Sequence, residues 1–274
     1  MSEPDETSGS VGAPESETSP TPPILYERHG AAAVVSIDRP ERRNAVDGPT
    51  AVALLEALKR FEGEDDARVM VLTGAGEVAF CAGADLKAID TFGDRLMAPE
   101  GPMGFTRLTP SKPTIAAISG FCLAGGLELA LWCDLRIATE GSQLGYPERR
   151  WGVPLIDGGT QRLPRIVGLG RALDLILTGR IIDASEAHAM GLLTEVVAGG
   201  DHLKRALELA NNLARFPQRT MLADRRAAIE GLGMTLQQGL ELESKAGPDV
   251  FVDAVSGAQR FAAGEGRSGA GAGA

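Results

Sequence analysis

Two runs in this chain, Val69-Met70-Val71-Leu72-Thr73 before Gly74 and Thr114-Ile115-Ala116-Ala117-Ile118 between Pro113 and Gly120, are apolar almost without a break. A strand with one wet face alternates between apolar and polar residues. A run that does not alternate must be covered on both faces, which calls for a mostly parallel sheet with helices packed over it. Residues 31–37, closed by Asp38-Arg39-Pro40, and residues 135–138 read as further strands. Between them, helical spacing appears at Val52, Leu55, Leu58 and Phe61, across residues 127–133 and 171–177, and again at 186–190. Strand and helix alternate, so the fold class is α/β.

Beyond about residue 201 only the helical spacing persists, carried by Leu203, Leu207, Ala210 and Leu213. The chain therefore divides into an α/β body over 24–200 and a helical region over 201–263, a cap or an oligomer contact. Residues 1–23 are Ser, Thr, Glu, Pro and Gly with hardly an apolar side chain, and 264–274 are Gly/Ala-rich. Neither segment buries enough surface to offset its ordering entropy, so both are expected to be disordered tails. No sequence repeat of fixed period is evident.

Several function classes fall away on charge and residue type. The net charge of −10 argues against a broad nucleic-acid surface. Three cysteines, Cys81, Cys122 and Cys133, form no C-x-x-C pair, and His29, His188 and His202 are scattered. Structural zinc, a disulfide framework and catalytic metal all lack support, and a reducing cytoplasmic setting is expected. No apolar stretch reaches the roughly 18 residues of a membrane span. Gly74-Ala75-Gly76-Glu77-Val78-Ala79 fits G-x-G-x-x-A, but a dinucleotide fingerprint must open directly into a helix, and Gly83 falls where that helix would run.

The chemistry concentrates in two acidic residues set among glycines and apolar side chains. Leu123-Ala124-Gly125-Gly126-Leu127-Glu128-Leu129-Ala130 places Glu128 on a helix apolar nearly all round, and Leu144-Gly145-Tyr146-Pro147-Glu148 places a second acid twenty residues on. A carboxyl so placed loses hydration, and two such groups in one pocket hold and deliver protons. An ordinary salt bridge from Glu148 to Arg149 or Arg150 is the competing reading. The loop Ala79-Phe80-Cys81-Ala82-Gly83-Ala84-Asp85-Leu86 follows one strand, and a second glycine-rich loop, through Gly125, follows the next. Backbone N–H groups of Ala82 and Gly125 would there grip one carbonyl oxygen as an oxyanion hole. Asp85 also suits a helix cap.

Phe80-Cys81-Ala82-Gly83-Ala84-Asp85-Leu86, Ala124-Gly125-Gly126-Leu127-Glu128-Leu129-Ala130, Cys133-Asp134, Pro147-Glu148 and Gly158-Gly159-Thr160-Gln161-Arg162-Leu163 together resemble the enoyl-CoA hydratase/isomerase (crotonase) family over about residues 24–267. The resemblance implies a spiral of ββα turns, a C-terminal helical trimerisation region, and a homotrimer or dimer of trimers. It implies Ala82 and Gly125 as oxyanion-hole donors, Ala82, Gly83, Ala84, Asp85, Leu86 and Gly125 against the acyl-CoA, and Glu128 and Glu148 as the catalytic acids. Both acids favour adding water to a 2-enoyl-CoA, giving a 3-hydroxyacyl-CoA, with no cofactor beyond the coenzyme A of the substrate. An isomerase, another acyl-CoA lyase, or a non-catalytic acyl-CoA-binding protein is the alternative. Arg42, Arg43 and Lys87 are candidates for the CoA phosphates.

The stretch Arg149-Arg150-Trp151-Gly152-Val153-Pro154-Leu155-Ile156-Asp157 departs from that pattern. Familiar hydratases carry small or apolar residues after the acid. Ile156 stands where a glycine is usual, and Asp157 adds a third acid to the expected pocket. Ala258-Gln259-Arg260-Phe261 lacks the usual basic run.

Overall fold

The computed structural model describes residues 22–265. The two tails read from composition lie, but for their innermost residues, outside that range. β1 (Ile24–His29) and β2 (Ala32–Ile37) make an antiparallel pair, and α1 (Gly48–Gly63) follows, capped by Asp47, whose side chain accepts from Thr50 N–H. The chain then repeats a unit of two strands and a helical segment. β3 (Val69–Gly74) and β4 (Ala79–Cys81) lead into a kinked 3₁₀ stretch, Leu86–Met97. β5 (Thr114–Ile118), β6 (Phe121–Leu123) and α2 (Gly125–Trp132) form the next unit. β7 (Leu135–Thr139), β8 (Gln143–Gly145), the turn Pro147–Trp151 and α3 (Gly159–Val167) form another. α4 (Leu169–Thr178), β9 (Ile181–Asp183), α5 (Ala184–Ala189) and β10 (Glu195–Val197) complete the body, before α6 (His202–Arg215), α7 (Gln218–Glu230) and α8 (Leu236–Ala262).

In each unit the first strand enters one sheet and the second strand another. The larger sheet has the order β1-β2-β3-β5-β7-β10, and the smaller β4-β6-β8-β9. Pairings β3–β5, β5–β7, β4–β6 and β6–β8 are all parallel. Such stacked ββα turns are the spiral the resemblance implies. No fixed period shows in the sequence because the turns differ in length, β3 starting at residue 69, β5 at 114 and β7 at 135.

The unbroken apolar runs have the cause inferred from them. Met70, Leu72, Ala116 and Ile118 face the main core with Phe61 and Phe80, while Val69, Val71, Ile115 and Ala117 face Ala206 and Ala210 of α6. Alternate side chains thus enter two separate cores, and both faces of the sheet are dry. α7 and α8 pack on one another and leave Leu232, Leu236, Leu240, Phe251 and Val252 exposed. After Gly74 the backbone enters β4 rather than a helix, which removes the structural context of a dinucleotide fingerprint.

Candidate active site

The glycine-rich ends of two neighbouring units meet backbone to backbone. Gly83 has φ +98°, and a Cβ there would stand 2.8 Å from the Ala124 Cβ and 3.1 Å from the Gly125 nitrogen. Only a residue without a side chain allows that approach. Ala124 itself adopts φ 54°, ψ −129°, uncommon for alanine, and is held there by its N–H bond to the Gly145 carbonyl (2.9 Å). A backbone of this kind costs on the order of 1–3 kcal/mol. It sets the first turn of α2, where N–H groups are left without helical partners.

The main-chain N–H groups left without an acceptor at the cavity differ by one member from the pair expected from the sequence. Ala82 N–H donates to the Arg43 carbonyl at 3.1 Å, so it is already committed. The neighbouring extended backbone is paired with Val46, whose N–H donates to Gly83 O while its carbonyl accepts from Asp85 N–H. Parallel pairing of that kind leaves the intervening Ala84 N–H pointing away from Val46. Among the described residues, neither Ala84 N–H nor Gly125 N–H has a protein acceptor. Ala84 and Gly125 both line a cavity of about 550 Å³, with Glu128, Glu148, Ile156 and Asp157. Ala82 and Leu86 reach the same cavity, whereas Gly83 and Asp85 do not. Asp85 is turned the other way: it caps the stretch starting at Leu86 by accepting from Lys87 N–H and pairs with Arg39 at 3.2 Å.

Glu128 is 2% exposed, on the buried helix α2. Its Oε1 accepts from Asp157 N–H (3.0 Å) and Gly159 N–H (2.7 Å), the latter in the first turn of α3. Those donors favour the ionised form, but loss of solvent outweighs them, and with Asp157 and Glu148 nearby the carboxyl is pushed up to about 8. Glu148 is buried in the turn after β8, and neither of its oxygens has a hydrogen-bond partner among the described residues. Burial pushes it up to about 7, with its own main-chain N–H and then Arg149 pulling the other way. The expected alternative, an ion pair pinning Glu148, is not formed: Arg149 Nε donates to the Ile176 carbonyl instead. Two carboxyls that titrate near neutrality in one cavity are equipped to accept and donate protons at ordinary pH.

Ile156 stands at the cavity edge, about a third exposed, and Asp157 is buried beside it. Three polar residues of the site carry no periodicity that would reveal them: Thr106 and Arg162 hydrogen-bond to the Asp157 side chain and carbonyl, and Tyr146 is buried beside Gly159 and Glu128. The segment holding Thr106 has neither helical nor strand spacing, so its return to the site becomes visible only in three dimensions. Arg43 lies 5.2 Å from the Phe121 ring centroid, and Arg42 and Lys87 are exposed. The described residues contain no cluster of three metal-ligating side chains.

A family model for enoyl-CoA hydratase/isomerase matches residues 27–264. The chain belongs to that family. It is 36% identical to the short-chain-enoyl-CoA hydratase of Clostridium acetobutylicum over 232 residues, 83% of this chain and 89% of that protein. It is 34% identical to the crotonyl-CoA hydratase of Syntrophomonas wolfei over 227 residues, 81% and 87% of the two chains. The crystal structure of enoyl-CoA hydratase EchA1 from Mycobacterium marinum superposes with a TM-score of 0.84 at 35% identity, covering 88% of this chain and 96% of that one. Family and fold agree with the sequence expectation. The free N–H groups and the two buried acids occupy the ends of the stacked units, where such a spiral brings its loops together.

Proposed function

We propose that this enoyl-CoA hydratase/isomerase family member hydrates a 2-enoyl-CoA to a 3-hydroxyacyl-CoA. The observation that carries this reading is the pairing of two buried carboxyls, raised to about 8 and about 7, with two uncommitted N–H groups in one cavity. The thioester oxygen would lie between Ala84 N–H and Gly125 N–H, which stabilise the enolate that develops when a nucleophile adds at C3. Near neutrality the acid pair holds about one proton. The steps need Glu128, held by two N–H donors, ionised and Glu148 protonated. With Glu128 at about 8 and Glu148 at about 7 the proton resides more on Glu128, so the reactive arrangement is the less populated one and forms by exchange within the pair. Glu128 then draws a proton from water as the oxygen adds at C3, and Glu148 protonates C2. The proton gained by Glu128 and the one lost by Glu148 balance, and exchange with solvent resets the pair.

No cofactor enters this sequence of steps, because coenzyme A arrives with the substrate. The exposed apolar faces of α7 and α8 support assembly into a homotrimer or dimer of trimers, and cytoplasmic residence is part of the same reading. The test is loss of the conjugated-thioester absorbance of crotonyl-CoA. Loss with formation of 3-hydroxybutyryl-CoA supports hydration. Binding without loss rejects it for this substrate, and turnover of a 3-enoyl-CoA alone would assign an isomerase.

A further inference from the structure

Asp157 is not among the groups assigned to the chemistry above, yet it touches both halves of the site. Its main-chain N–H is one of the two donors to Glu128 Oε1, at 3.0 Å. Its side-chain Oδ1 accepts from Met103 N–H at 3.0 Å and from the Thr106 hydroxyl. Met103 and Thr106 are themselves 1% and 0% exposed, so no solvent competes for these bonds. Met103 lines the cavity, and its thioether rests against Gly125, where an added Cβ would meet the Met103 Cε at 3.1 Å. Arg162 closes the unit, donating to the Asp157 carbonyl at 2.9 Å and to the Thr106 carbonyl at 2.6 Å.

We propose that Asp157 is a positioning residue, which locks the Met103–Thr106 wall beside the oxyanion donor Gly125 to the backbone cradle of Glu128. The assignment rests on the hydratase reading. One residue fixes, through its side chain, where the acyl group lies and, through its main-chain N–H, where the base lies. A displacement of about 1 Å between reacting groups costs as much as 10²-fold in rate, which is the scale on which such a lock matters. Around Glu128 the charged and titratable neighbours are Asp157, Glu148, Tyr146 and Arg162; around Asp157 they are Arg107 and Arg162. Of the neighbouring charges that disfavour ionised Glu128, the Asp157 carboxylate acts most strongly, so neutralising it lowers the pH at which Glu128 ionises.

The experiment is steady-state hydration of crotonyl-CoA across about pH 6 to 9, for wild type, Asp157→Asn, Asp157→Ala and Thr106→Val, with the Kd of butyryl-CoA measured beside it. Asparagine keeps an oxygen for both wall bonds and removes the charge. It should hold kcat within about threefold of wild type and move the upper limb of kcat/KM, the one near about 8 that belongs to Glu128, to lower pH. Alanine should lose about 10- to 100-fold in kcat/KM, with a smaller change in the Kd of butyryl-CoA. Thr106→Val should lose less than alanine and leave the limb in place. Rescue of the alanine loss by asparagine, with the limb displaced, supports the assignment. Wild-type kcat/KM and limb in both Asp157 variants, whatever happens to Tm, overturn it. If alanine does not fold, the asparagine limb and the Thr106→Val rate decide. If wild type binds butyryl-CoA but leaves crotonyl-CoA unchanged, the hydratase reading has failed instead. Weaker butyryl-CoA binding by Thr106→Val than by Asp157→Asn then still supports the wall, and equal binding overturns it.

Discussion

The two sides of the cavity hold the same functional group in opposite ways. On the α2–α3 side, Glu128 is anchored by two N–H donors and by the wall residues behind Asp157. On the β8 side, Glu148 is buried with neither oxygen hydrogen-bonded to another described residue, only its own main-chain N–H acting on it. Both carboxyls are raised by loss of solvent, so burial alone does not distinguish them. What differs is the hydrogen bonding on the carboxyl. Two N–H donors hold Glu128 in place and act against its burial, which still leaves it at about 8. Neither Glu148 oxygen has a partner among the described residues, and that acid lies at about 7.

The most damaging way to break this comparison is to remove the acids. Glu128→Gln and Glu148→Gln should each lower kcat by about 10² to 10⁴, the range for a lost general acid or base. The double variant should be little worse than either, because the two act as a unit. The fold should respond in the reverse sense. Each carboxyl titrates higher folded than unfolded, so it is accommodated best below about pH 4.3, and its contribution declines as pH rises toward its folded value of about 8 or about 7. Glutamine carries no charge to bury, so Tm of either variant should fall less than wild type between mildly acidic and mildly alkaline pH. A parallel fall would refute the raised values.

Next in size is a test of the anchored side alone. A Cβ at Gly159 would stand 2.7 Å from the Tyr146 hydroxyl and 2.9 Å from Glu128 Oε1. Gly159→Ala should displace the base and reduce kcat by about 10-fold or more, with butyryl-CoA binding changed less. Equal loss in both would show that the turn shapes the cavity rather than the base. A third test reads the pair intact. Hydration needs one ionised and one protonated carboxyl, so kcat/KM should follow a narrow bell with limbs near about 7 and about 8. Below it both groups are protonated and no base remains; above it both are ionised and no acid remains. A profile flat across this range would dissociate the two acids from the chemistry.

The same contrast marks how far the sequence could be read. The sheet was legible because Val69–Gly74 and Thr114–Ile118 are buried on both faces, and that condition leaves a direct trace in composition. β4, β6, β8 and β9 are three residues long, too short to show any period, and so the second sheet had no signal. Glu128 could be singled out because its helix is apolar all round. The loop after β4 could be found but not its orientation: which N–H stays free depends on pairing with Val46, thirty-eight residues before Ala84, and this leaves the Ala84 N–H rather than the Ala82 N–H without an acceptor among the described residues. Asp157 was visible as a departure from the family pattern, but the residues it binds lie about fifty positions earlier in a segment without periodicity.

The smallest expected effect tests the bare side, where sequence proximity had suggested an ion pair. Arg149 is the residue next to Glu148, but its Nε donates to the Ile176 carbonyl at 3.2 Å, and its influence on the acid is only through space. An exposed charge acting through solvent is worth little, about 0–1 kcal/mol. Arg149→Ala should therefore leave kcat within about threefold of wild type. Because the guanidinium favours the ionised form, its removal should let Glu148 hold its proton to slightly higher pH, moving the limb near about 7 upward while the limb near about 8 stays. A large loss of rate, or a limb moving downward, would mean that Arg149 swings onto Glu148 when substrate binds. The donor-free side of the cavity would then be anchored after all, and the division of labour between the two acids would have to be reversed.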